Sequence, residues 1–216
     1  MSQNRSIRCA SMDEILERYA AIQLRVEERL PLLFDHLPRT GLRIVGELTG
    51  NGGPTAAAWY TPPGTGGRRP GIFHVNLSRP QRHSQECMET LFLREGLPGR
   101  HLQTALAREA DSLEGRTRFG GQPEYVAVWA DYAACLGDRL GIRRYPSGDG
   151  GPILAMRESA RKILGSRFDI REFHRRVLYR GPVPLYLLAA DLDAWARGQD
   201  PVRPSSQDSR RVVSFS

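Results

Sequence analysis

Lysine is almost absent from this chain, and its scarcity determines the character of the positive charge. Lys162 is the single lysine among 216 residues, so the 31 basic residues are nearly all arginine; with 24 acidic residues the formal charge is +7. This bias indicates either a GC-rich genome or an arginine-lined surface for carboxylates or phosphates, because guanidinium groups pair bidentately with both. No segment combines clustered basic residues with interleaved aromatic residues, which argues against nucleic-acid binding.

Cysteines and long apolar runs are also scarce. Cys9, Cys87 and Cys135 are an odd number without CxxC spacing, which excludes a disulfide framework and a zinc knuckle. The last two stand in apolar segments, and we expect them in the core. The longest apolar stretch, Leu185–Ala190, is too short to span a membrane, and Met1–Ala10 lacks the apolar region of a secretory signal. We therefore expect a soluble, cytoplasmic protein without a membrane partner.

The remaining composition is that of an ordinary globular protein. Hydrophobic residues make up 40% of the chain and charged residues 25%, as in most folded domains. A chain of this length buries roughly 70% of its unfolded surface, so it needs neither disulfides nor a metal to hold a core. We expect a flexible N-terminus at residues 1–10, a single domain at 11–198 and a disordered tail at 199–216.

Periodicity and turn signals predict an α+β fold that is mostly helical. Ser11 and Glu14 form a capping box before a helix that ends near Pro31. Three short extended runs predict a small antiparallel strand pair or a three-stranded sheet packed on a helical bundle; they are Leu42–Leu48, Thr55–Tyr60 and Gly71–Leu77. Helical spacing of apolar residues predicts six further helices, at about 85–97, 101–113, 123–140, 152–164, 169–178 and 184–197, the third of them apolar almost all round.

The helix at 85–97 carries an acidic residue within its apolar stripe. Projection at 100° per residue places Met88, Leu91, Phe92 and Glu95 on one side. A carboxylate in such a stripe is costly to bury without a partner, so Glu95 has a partner, has a raised pKa or lines a cavity. With Arg94 beside the stripe, two interpretations follow: a Glu–Arg pair that locks helices together, or a catalytic carboxylate whose pKa is set by burial.

The segment that follows resembles the signature of a bacterial family. Arg94–Gln103 reads R-E-G-L-P-G-R-H-L-Q and is similar to the H-E-x-x-P-G-H-H-L-Q motif of the family called domain of unknown function 885, which looks like a zincin-type metallopeptidase. Further segments resemble the same family in the same order: Trp59–Pro63, Arg69–Leu77, Val128–Tyr132 and Phe168–Leu185. The resemblance covers roughly residues 12–198 and implies a fold like the C-terminal half of a zincin-like domain.

The positions that this resemblance assigns to metal binding are altered. Arg94 and Arg100 stand at two of the motif's histidines, and Ala127 stands at the Glu of the family's E-G-W-A motif. Only His101 remains among the implied ligands, and one imidazole does not hold a catalytic zinc ion. The resemblance further implies that the family's N-terminal helical half is absent and that the stretch before the C-terminal segment is reduced to Pro146–Pro152. We predict a shortened relative with degenerate metal-binding motifs, no metal and no cofactor.

Replacement by arginine indicates an electropositive pocket that binds anions without a metal. Guanidinium groups hold a carboxylate, phosphate or enolate and stabilise developing negative charge, while Glu95 moves a proton. We predict a metal-independent enzyme of bacterial secondary metabolism that acts on a small anionic metabolite by proton transfer, cyclisation, elimination or hydrolysis. The predicted catalytic residues are Glu95, His101 and Tyr132, and the predicted substrate-binding residues are Arg94, Arg100, Arg157, Trp129 and His74.

The same residues also have structural interpretations. These are a strand position for His74, helix packing for Trp129 and Tyr132, packing and capping for His174, and an arginine partner for Asp131. Under this hypothesis the chain is a non-catalytic pseudo-peptidase that binds a ligand or a partner protein, and Arg94 and Arg100 lie in closed ion pairs near the surface. A homodimer is compatible with either hypothesis.

Overall fold

In the part of the chain that the structure describes, seven α-helices accompany a sheet of three strands. The structure is a computed structural model that describes residues 11–48, 56–64, 69–114, 123–142, 150–181 and 183–199. The predicted flexible N-terminus with Cys9, and all of the predicted tail except residue 199, lie outside these ranges. The elements are helices α1 (Met12–Arg29), α2 (Gln85–Glu95), α3 (Arg100–Glu114), α4 (Pro123–Ala134), α5 (Gly151–Leu164), α6 (Ile170–Arg180) and α7 (Leu185–Ala196), and strands β1 (Leu42–Glu47), β2 (Ala58–Thr61) and β3 (Gly71–Asn76). They confirm the predicted α+β fold; none of these helices is long and apolar enough to cross a membrane.

Helix α1 begins at the predicted capping box. The Ser11 hydroxyl oxygen accepts a hydrogen bond from the Glu14 amide at 3.1 Å, which satisfies an amide that the start of a helix leaves unpaired. The core-facing side of the helix buries Ile15, Tyr19, Ile22 and Val26. The helix ends where Leu30–Leu32 forms a 3-10 turn, because Pro31 has no amide hydrogen with which to continue the α-helical pattern.

The sheet has the strand order β1-β3-β2. β2 runs antiparallel to β3, whereas β1 runs parallel to β3, with Leu42 opposite Gly71. The predicted antiparallel pairing is therefore correct for β2 and β3 and wrong for β1 and β3. Alternation and turn signals identify strands, but they do not determine the direction of pairing when another strand lies between the two partners in the sequence.

Alternation along β3 gives the sheet a core face and an outer face. Phe73 and Val75 are fully buried, whereas His74 between them faces the other side. The Phe73 ring contacts Tyr19 of α1 and Phe92 of α2, with centroid distances of 5.1 and 5.4 Å. The core face therefore packs on α1 and α2. The outer face carries the residues that lie between the buried ones along each strand, such as His74.

Helix α4 is shorter and more one-sided than predicted. It ends at Ala134, and Gly137–Leu140 forms a separate 3-10 turn. Its buried side includes Trp129 and Tyr132, while Ala127 is exposed. The prediction of one helix to residue 140 is wrong, because the chain leaves the α-helical pattern after Ala134. The predicted burial fails at Ala127, because alanine is small enough to face solvent at little cost.

Two cysteines lie in the described ranges, and the prediction that both belong to the core is wrong. Cys87 on α2 and Cys135 after α4 are both half-buried. Burial raises the pKa of the Cys87 thiol. This thiol therefore stays in its protonated, weakly nucleophilic form near neutral pH.

Candidate functional site

Glu95 is the last residue of α2 and lies on the side that faces the core. Met88 and Phe92 on the same stripe are buried, and the Glu95 side chain is only 13% exposed. Burial raises the pKa of the Glu95 carboxyl, while the positive charges of Arg100 and Arg94 act in the opposite direction. A carboxyl in this state is suited to accept or release a proton closer to neutral pH than an exposed glutamate.

A tight turn brings the start of α3 next to Glu95. Gly96 caps the end of helix α2, and its carbonyl oxygen accepts a hydrogen bond from the His101 amide at 3.1 Å. A Cβ at Gly99 would collide with two carbonyl oxygens of α2, so this position requires glycine. The P-G of the motif therefore sets the direction in which α3 leaves α2, and with it the position of Arg100.

Trp129 of α4 holds this turn from inside the protein. Its Nε1 donates hydrogen bonds to the carbonyl oxygens of Pro98 and Gly99 at 3.0 and 3.2 Å. The side chain is fully buried. The predicted substrate-binding residue thus lies beneath the turn, where it supports the backbone between Glu95 and Arg100.

Arg100 contacts Glu95 through one long ion pair. Its Nη1 is 3.4 Å from the Oε2 atom of Glu95, and its side chain is 39% exposed. Its Nε is buried and has no hydrogen-bond partner among the described residues. A bidentate guanidinium–carboxylate pair would use two donors at about 2.8 Å, so Arg100 retains donors for a second anion.

Arg94 is directed towards α4 and pairs with Asp131. The guanidinium donates to Asp131 Oδ1, which confirms the predicted arginine partner of this aspartate. The pair joins α2 to α4 next to the turn. Although the guanidinium is engaged, its charge still lowers the pKa of Glu95, so Arg94 contributes to the electrostatics of the site.

His101 is fully buried, and both of its ring nitrogens have partners. Nε2 lies 3.1 Å from the carbonyl oxygen of Thr40 and therefore carries the proton, which leaves Nδ1 to accept a hydrogen bond from the Tyr60 hydroxyl at 3.0 Å. A Cβ at Gly71 would come within 2.5 Å of Nδ1, so glycine permits this approach. Burial lowers the pKa of His101 to about 4 and raises that of Tyr60 to about 12, so both are neutral at pH 7.

These contacts do not fit a zinc site at the family-like motif. Both nitrogens of His101 are engaged, Arg94 and Arg100 are cations, and Ala127 has no ligating side-chain atom. No group of three or more His, Cys, Asp or Glu side chains within the described ranges is arranged to hold a metal ion. A zinc site needs three or four such ligands.

Tyr132 belongs to a buried hydrogen-bond chain on α4, α5 and α6. Its hydroxyl donates to His174 Nε2 at 2.7 Å, and His174 Nδ1 donates to the Leu33 carbonyl oxygen at 2.8 Å. Arg157 Nη1 lies 3.4 Å from the Tyr132 hydroxyl oxygen. Burial lowers the pKa of His174 to about 4 and raises that of Tyr132 to about 12. The capping role predicted for His174 is wrong, because the side chain of Asp169 caps α6.

His74 lies apart from these residues, on the outer face of the sheet. Its Nδ1 is 3.0 Å from Glu47 Oε1, and its Nε2 is 2.9 Å from Thr61 Oγ1. The Trp59 ring stacks on the imidazole with a centroid distance of 4.9 Å and an interplanar angle of 3°. Because α2 packs on the core face, the sheet separates His74 from Glu95.

Sequence reasoning missed the side chains that complete these groups. Tyr60 and Thr61 belong to a segment that resembles the family, but neither was singled out. Their adjacency was the available signal, because neighbouring residues of a strand project to opposite faces and can serve two groups at once. Thr40 and Leu33 accept hydrogen bonds through backbone carbonyl oxygens, which any residue type would supply.

A family model matches most of the chain. The model, described as "Bacterial protein of unknown function (DUF885)", matches residues 2–151 and 152–192. The break between residues 151 and 152 falls at the end of Pro146–Pro152, where the sequence indicates a shortened connection. No curated protein matches the sequence.

A solved structure shares the fold. It is the crystal structure of a protein of Colwellia psychrerythraea, described provisionally as a lipoprotein, with a TM-score of 0.78 and 21% sequence identity over 91% of the present chain. At this identity the similarity concerns the fold alone. The present chain spans 46% of that longer chain.

Proposed function

We propose, since this chain belongs to the bacterial DUF885 family of unknown function, that it is a metal-independent enzyme acting on a small anionic metabolite. The contact between Glu95 and Arg100 carries the proposal: a largely buried carboxyl with a raised pKa lies 3.4 Å from the guanidinium group of an arginine side chain that is 39% exposed. A proton-transfer group beside an anion-binding group is what a proton transfer, cyclisation, elimination or hydrolysis of such a substrate requires.

In this proposal Glu95 moves the proton and Arg100 holds the anion. The raised pKa brings Glu95 closer to neutral pH, where general acid–base catalysis is most efficient. The exposed part of the Arg100 side chain supplies donors for a carboxylate or phosphate. Arg94, held by Asp131, adds positive charge, so negative charge that develops beside Glu95, as in an enolate, is stabilised.

The other residues predicted for this site support it from a distance. His101 and Tyr132 are buried, neutral and engaged in hydrogen bonds, so in this proposal they stabilise the packing around the site instead of transferring protons. Trp129 holds the turn that carries Arg100. Arg157 contributes positive charge near Tyr132.

The descent of the protein, its location and its oligomeric state belong to the same proposal. The arginines at the motif's histidine positions support descent from a zincin-like metallopeptidase in which cationic side chains replaced a metal ion. A cytoplasmic location, a role in bacterial secondary metabolism and a homodimer complete the proposal. Light scattering of the purified protein measures the oligomeric state directly.

A non-catalytic binding protein is the second candidate function. One observation favours it: both arginines of the motif already contact carboxylates, Arg94 with Asp131 and Arg100 with Glu95. The Glu95–Arg100 pair would then lock α2 to α3, and the same surface would bind a ligand or a partner protein without turnover. Ligand binding without proton transfer would favour this function over the enzyme.

Anion binding by Arg100 is tested by thermal denaturation. We expect inorganic phosphate or succinate at about ten times its dissociation constant to add about 1.4 kcal/mol to the stability, which raises Tm by about 4 °C. Arg100→Ala should remove this shift, because it removes the donors beside Glu95. Arg197→Ala, which removes an exposed arginine paired with Asp193 at 2.7 Å, should leave it intact. An equal shift in both variants would exclude Arg100 as the anion contact.

Proton transfer by Glu95 is tested by deuterium exchange. We expect the protein to incorporate deuterium from D₂O at the carbon next to the ketone group of small keto acids, as followed by NMR, and Glu95→Gln to slow this exchange by about 100-fold or more. Glu86→Gln, an exposed position on the same helix, is the control. Exchange that proceeds equally in Glu95→Gln would remove this residue from the reaction.

The stability of Glu95→Gln separates catalysis from a structural role. A folded-state pKa above the unfolded value means that protonation of Glu95 favours the native state, and this contribution is lost as the pH rises through the folded pKa. The neutral glutamine is therefore expected to leave the free energy of unfolding at pH 7 unchanged or higher. A marked loss of stability would instead identify the Glu95–Arg100 pair as a structural lock.

A further inference from the structure

Three polar side chains from three different strands meet on the outer face of the sheet. In the register of the sheet His74 lies between Val45 of β1 and Trp59 of β2. Glu47 and Thr61 each lie two residues further along their strands, on the same face as His74. Their side chains reach His74 from opposite sides, with Glu47 Oε1 at 3.0 Å from Nδ1 and Thr61 Oγ1 at 2.9 Å from Nε2.

The chemistry of the partners determines where the imidazole proton lies. An ionised carboxylate only accepts hydrogen bonds, so the Nδ1 atom that faces Glu47 carries the proton. In the neutral ring Nε2 then presents a lone pair, and the Thr61 hydroxyl donates to it. This is the polarity in which a carboxylate orients a histidine and the histidine withdraws a proton from a hydroxyl nucleophile.

The ring is held in place while the hydroxyl remains accessible. The parallel stacking of Trp59 and the hydrogen bond to Glu47 restrict the imidazole in two directions. The His74 side chain is 14% exposed and the Glu47 side chain 31% exposed, whereas Thr61 is an exposed residue. The base is therefore sheltered and the hydroxyl group faces solvent.

This arrangement differs from that of the three fully buried histidines among the described residues. His83, His101 and His174 each donate one ring N–H to a backbone carbonyl oxygen. His74 instead has a carboxylate on one nitrogen and an exposed hydroxyl on the other, both from side chains. We propose that Thr61, His74 and Glu47 act as nucleophile, general base and orienting carboxylate in the hydrolysis of carboxylic esters.

Arg43 indicates the class of ester. In the sheet register Arg43 of β1 and Thr61 of β2 lie on either side of Ile72, and Arg43 is exposed. A guanidinium group in the same row as the nucleophile favours a substrate with a carboxylate on its acyl part. The preferred substrates are therefore esters of small dicarboxylic acids.

The reaction balances without a cofactor. Thr61 Oγ forms a bond to the ester carbonyl carbon as its proton passes to His74 Nε2, and Glu47 stabilises the imidazolium ion. The carbon–oxygen bond to the alcohol breaks, and the alcohol leaves with the proton from Nε2. Water then attacks the acyl carbon and gives one proton to Nε2. The bond between this carbon and Thr61 Oγ breaks, the acid leaves, and Nε2 returns the proton to Oγ. The net reaction is ester plus water to acid plus alcohol.

Covalent labelling tests the nucleophile. A fluorophosphonate forms a phosphorus–oxygen bond to an activated hydroxyl with loss of fluoride, so the intact protein is expected to gain one adduct, which peptide mapping places on Thr61. Thr61→Val and His74→Ala should slow labelling by about 100-fold or more, and Glu47→Gln by about 10-fold or more. Thr61→Ser, which retains the hydroxyl, should label at least as fast as the parent.

A surface pair elsewhere provides the matched control. His36 is an exposed histidine 3.0 Å from the carboxylate of Asp35, so His36→Ala removes a similar pair and should label like the parent protein. No adduct on the folded parent protein, an adduct on another residue, or undiminished labelling of Thr61→Val would each overturn the proposal. Thermal denaturation shows whether each variant is folded.

Ester hydrolysis tests the substrate class. With chromogenic nitrophenyl esters, kcat/KM is expected to be about 10-fold higher for the succinate monoester than for the acetate, since one ionic hydrogen bond contributes about 1.4 kcal/mol or more. Arg43→Ala should lower the succinate value towards the acetate value. Equal kcat/KM values for both esters in the parent protein would overturn the assignment to dicarboxylic esters. The site does not depend on Glu95, so these outcomes are separate from those of the proton-transfer experiment.

Discussion

Replacing Trp129 with alanine is expected to lower the free energy of unfolding by about 3–5 kcal/mol. The indole is fully buried, packs against Phe34 and Tyr132 with centroid distances of 6.4 and 5.6 Å, and donates to the carbonyl oxygens of Pro98 and Gly99. The substitution therefore leaves a large cavity and removes the indole donor from both carbonyl groups, of which that of Gly99 keeps the Gln103 amide at 3.2 Å. Urea denaturation followed by circular dichroism measures the loss.

Two further substitutions separate packing from hydrogen bonding at this position. Trp129→Phe keeps most of the packing but removes the donor, and we expect a loss of about 1–3 kcal/mol. Trp195→Ala removes a half-buried indole on α7 that lies 5.0 Å from the Arg176 guanidinium group, and we expect a smaller loss than for Trp129→Ala. Equal losses for the two alanine variants would show that the buried Trp129 contributes no more to the free energy of unfolding than the half-buried Trp195.

Acid is expected to destabilise the protein strongly between about pH 6.5 and pH 4. Burial lowers the pKa of His101 and His174 from 6.5 to about 4, so in this range each of these two histidines binds a proton in the unfolded chain but not in the native protein. Each histidine then costs on the order of 3 kcal/mol of stability by pH 4. His83, whose pKa burial also lowers, acts in the same direction, whereas Glu95, whose pKa is raised, acts in the opposite one.

Urea denaturation at pH 7 and pH 4.5 measures this dependence, and substitutions assign it. His174→Gln should reduce by about one the number of protons that the chain takes up on unfolding at acid pH. It should also lower the stability at pH 7, because glutamine cannot reproduce both hydrogen bonds of the ring. His36→Ala, at an exposed position, should keep the dependence of the parent protein. A stability that is constant from pH 7 to pH 4.5 would show that the buried histidines are accessible to protons in the folded state.

The fold was predictable where local sequence determines local structure. Ser11 and Glu14 identify the start of α1, and the periodic apolar residues that follow identify its buried side. The parallel pairing of β1 and β3 was not predictable in this way, because it depends on how the chain between Glu47 and Gly71 crosses the sheet. Helix α4 shows the same limit, since its alanines do not distinguish a buried face from an exposed one.

The candidate site was predictable in part, for a similar reason. The position of Glu95 on the stripe with Met88 and Phe92 follows from helical geometry, and an arginine partner for Asp131 follows from the cost of an unpaired charge. The contact of Glu95 with Arg100 depends on the turn through Pro98 and Gly99, which changes the direction of the helix and invalidates projection beyond residue 97. Tertiary packing, which no local pattern encodes, selects such contacts.

Strand β2 has four residues, and two consecutive ones serve different parts of the molecule. Tyr60 faces inward to His101, close to the start of α3, and Thr61 faces outward to His74. Inserting or deleting one residue before Tyr60 would turn both side chains to the wrong faces at once. A change in the length of this segment would therefore disrupt the group around His101 and the group around His74 together, even where either group alone would tolerate it.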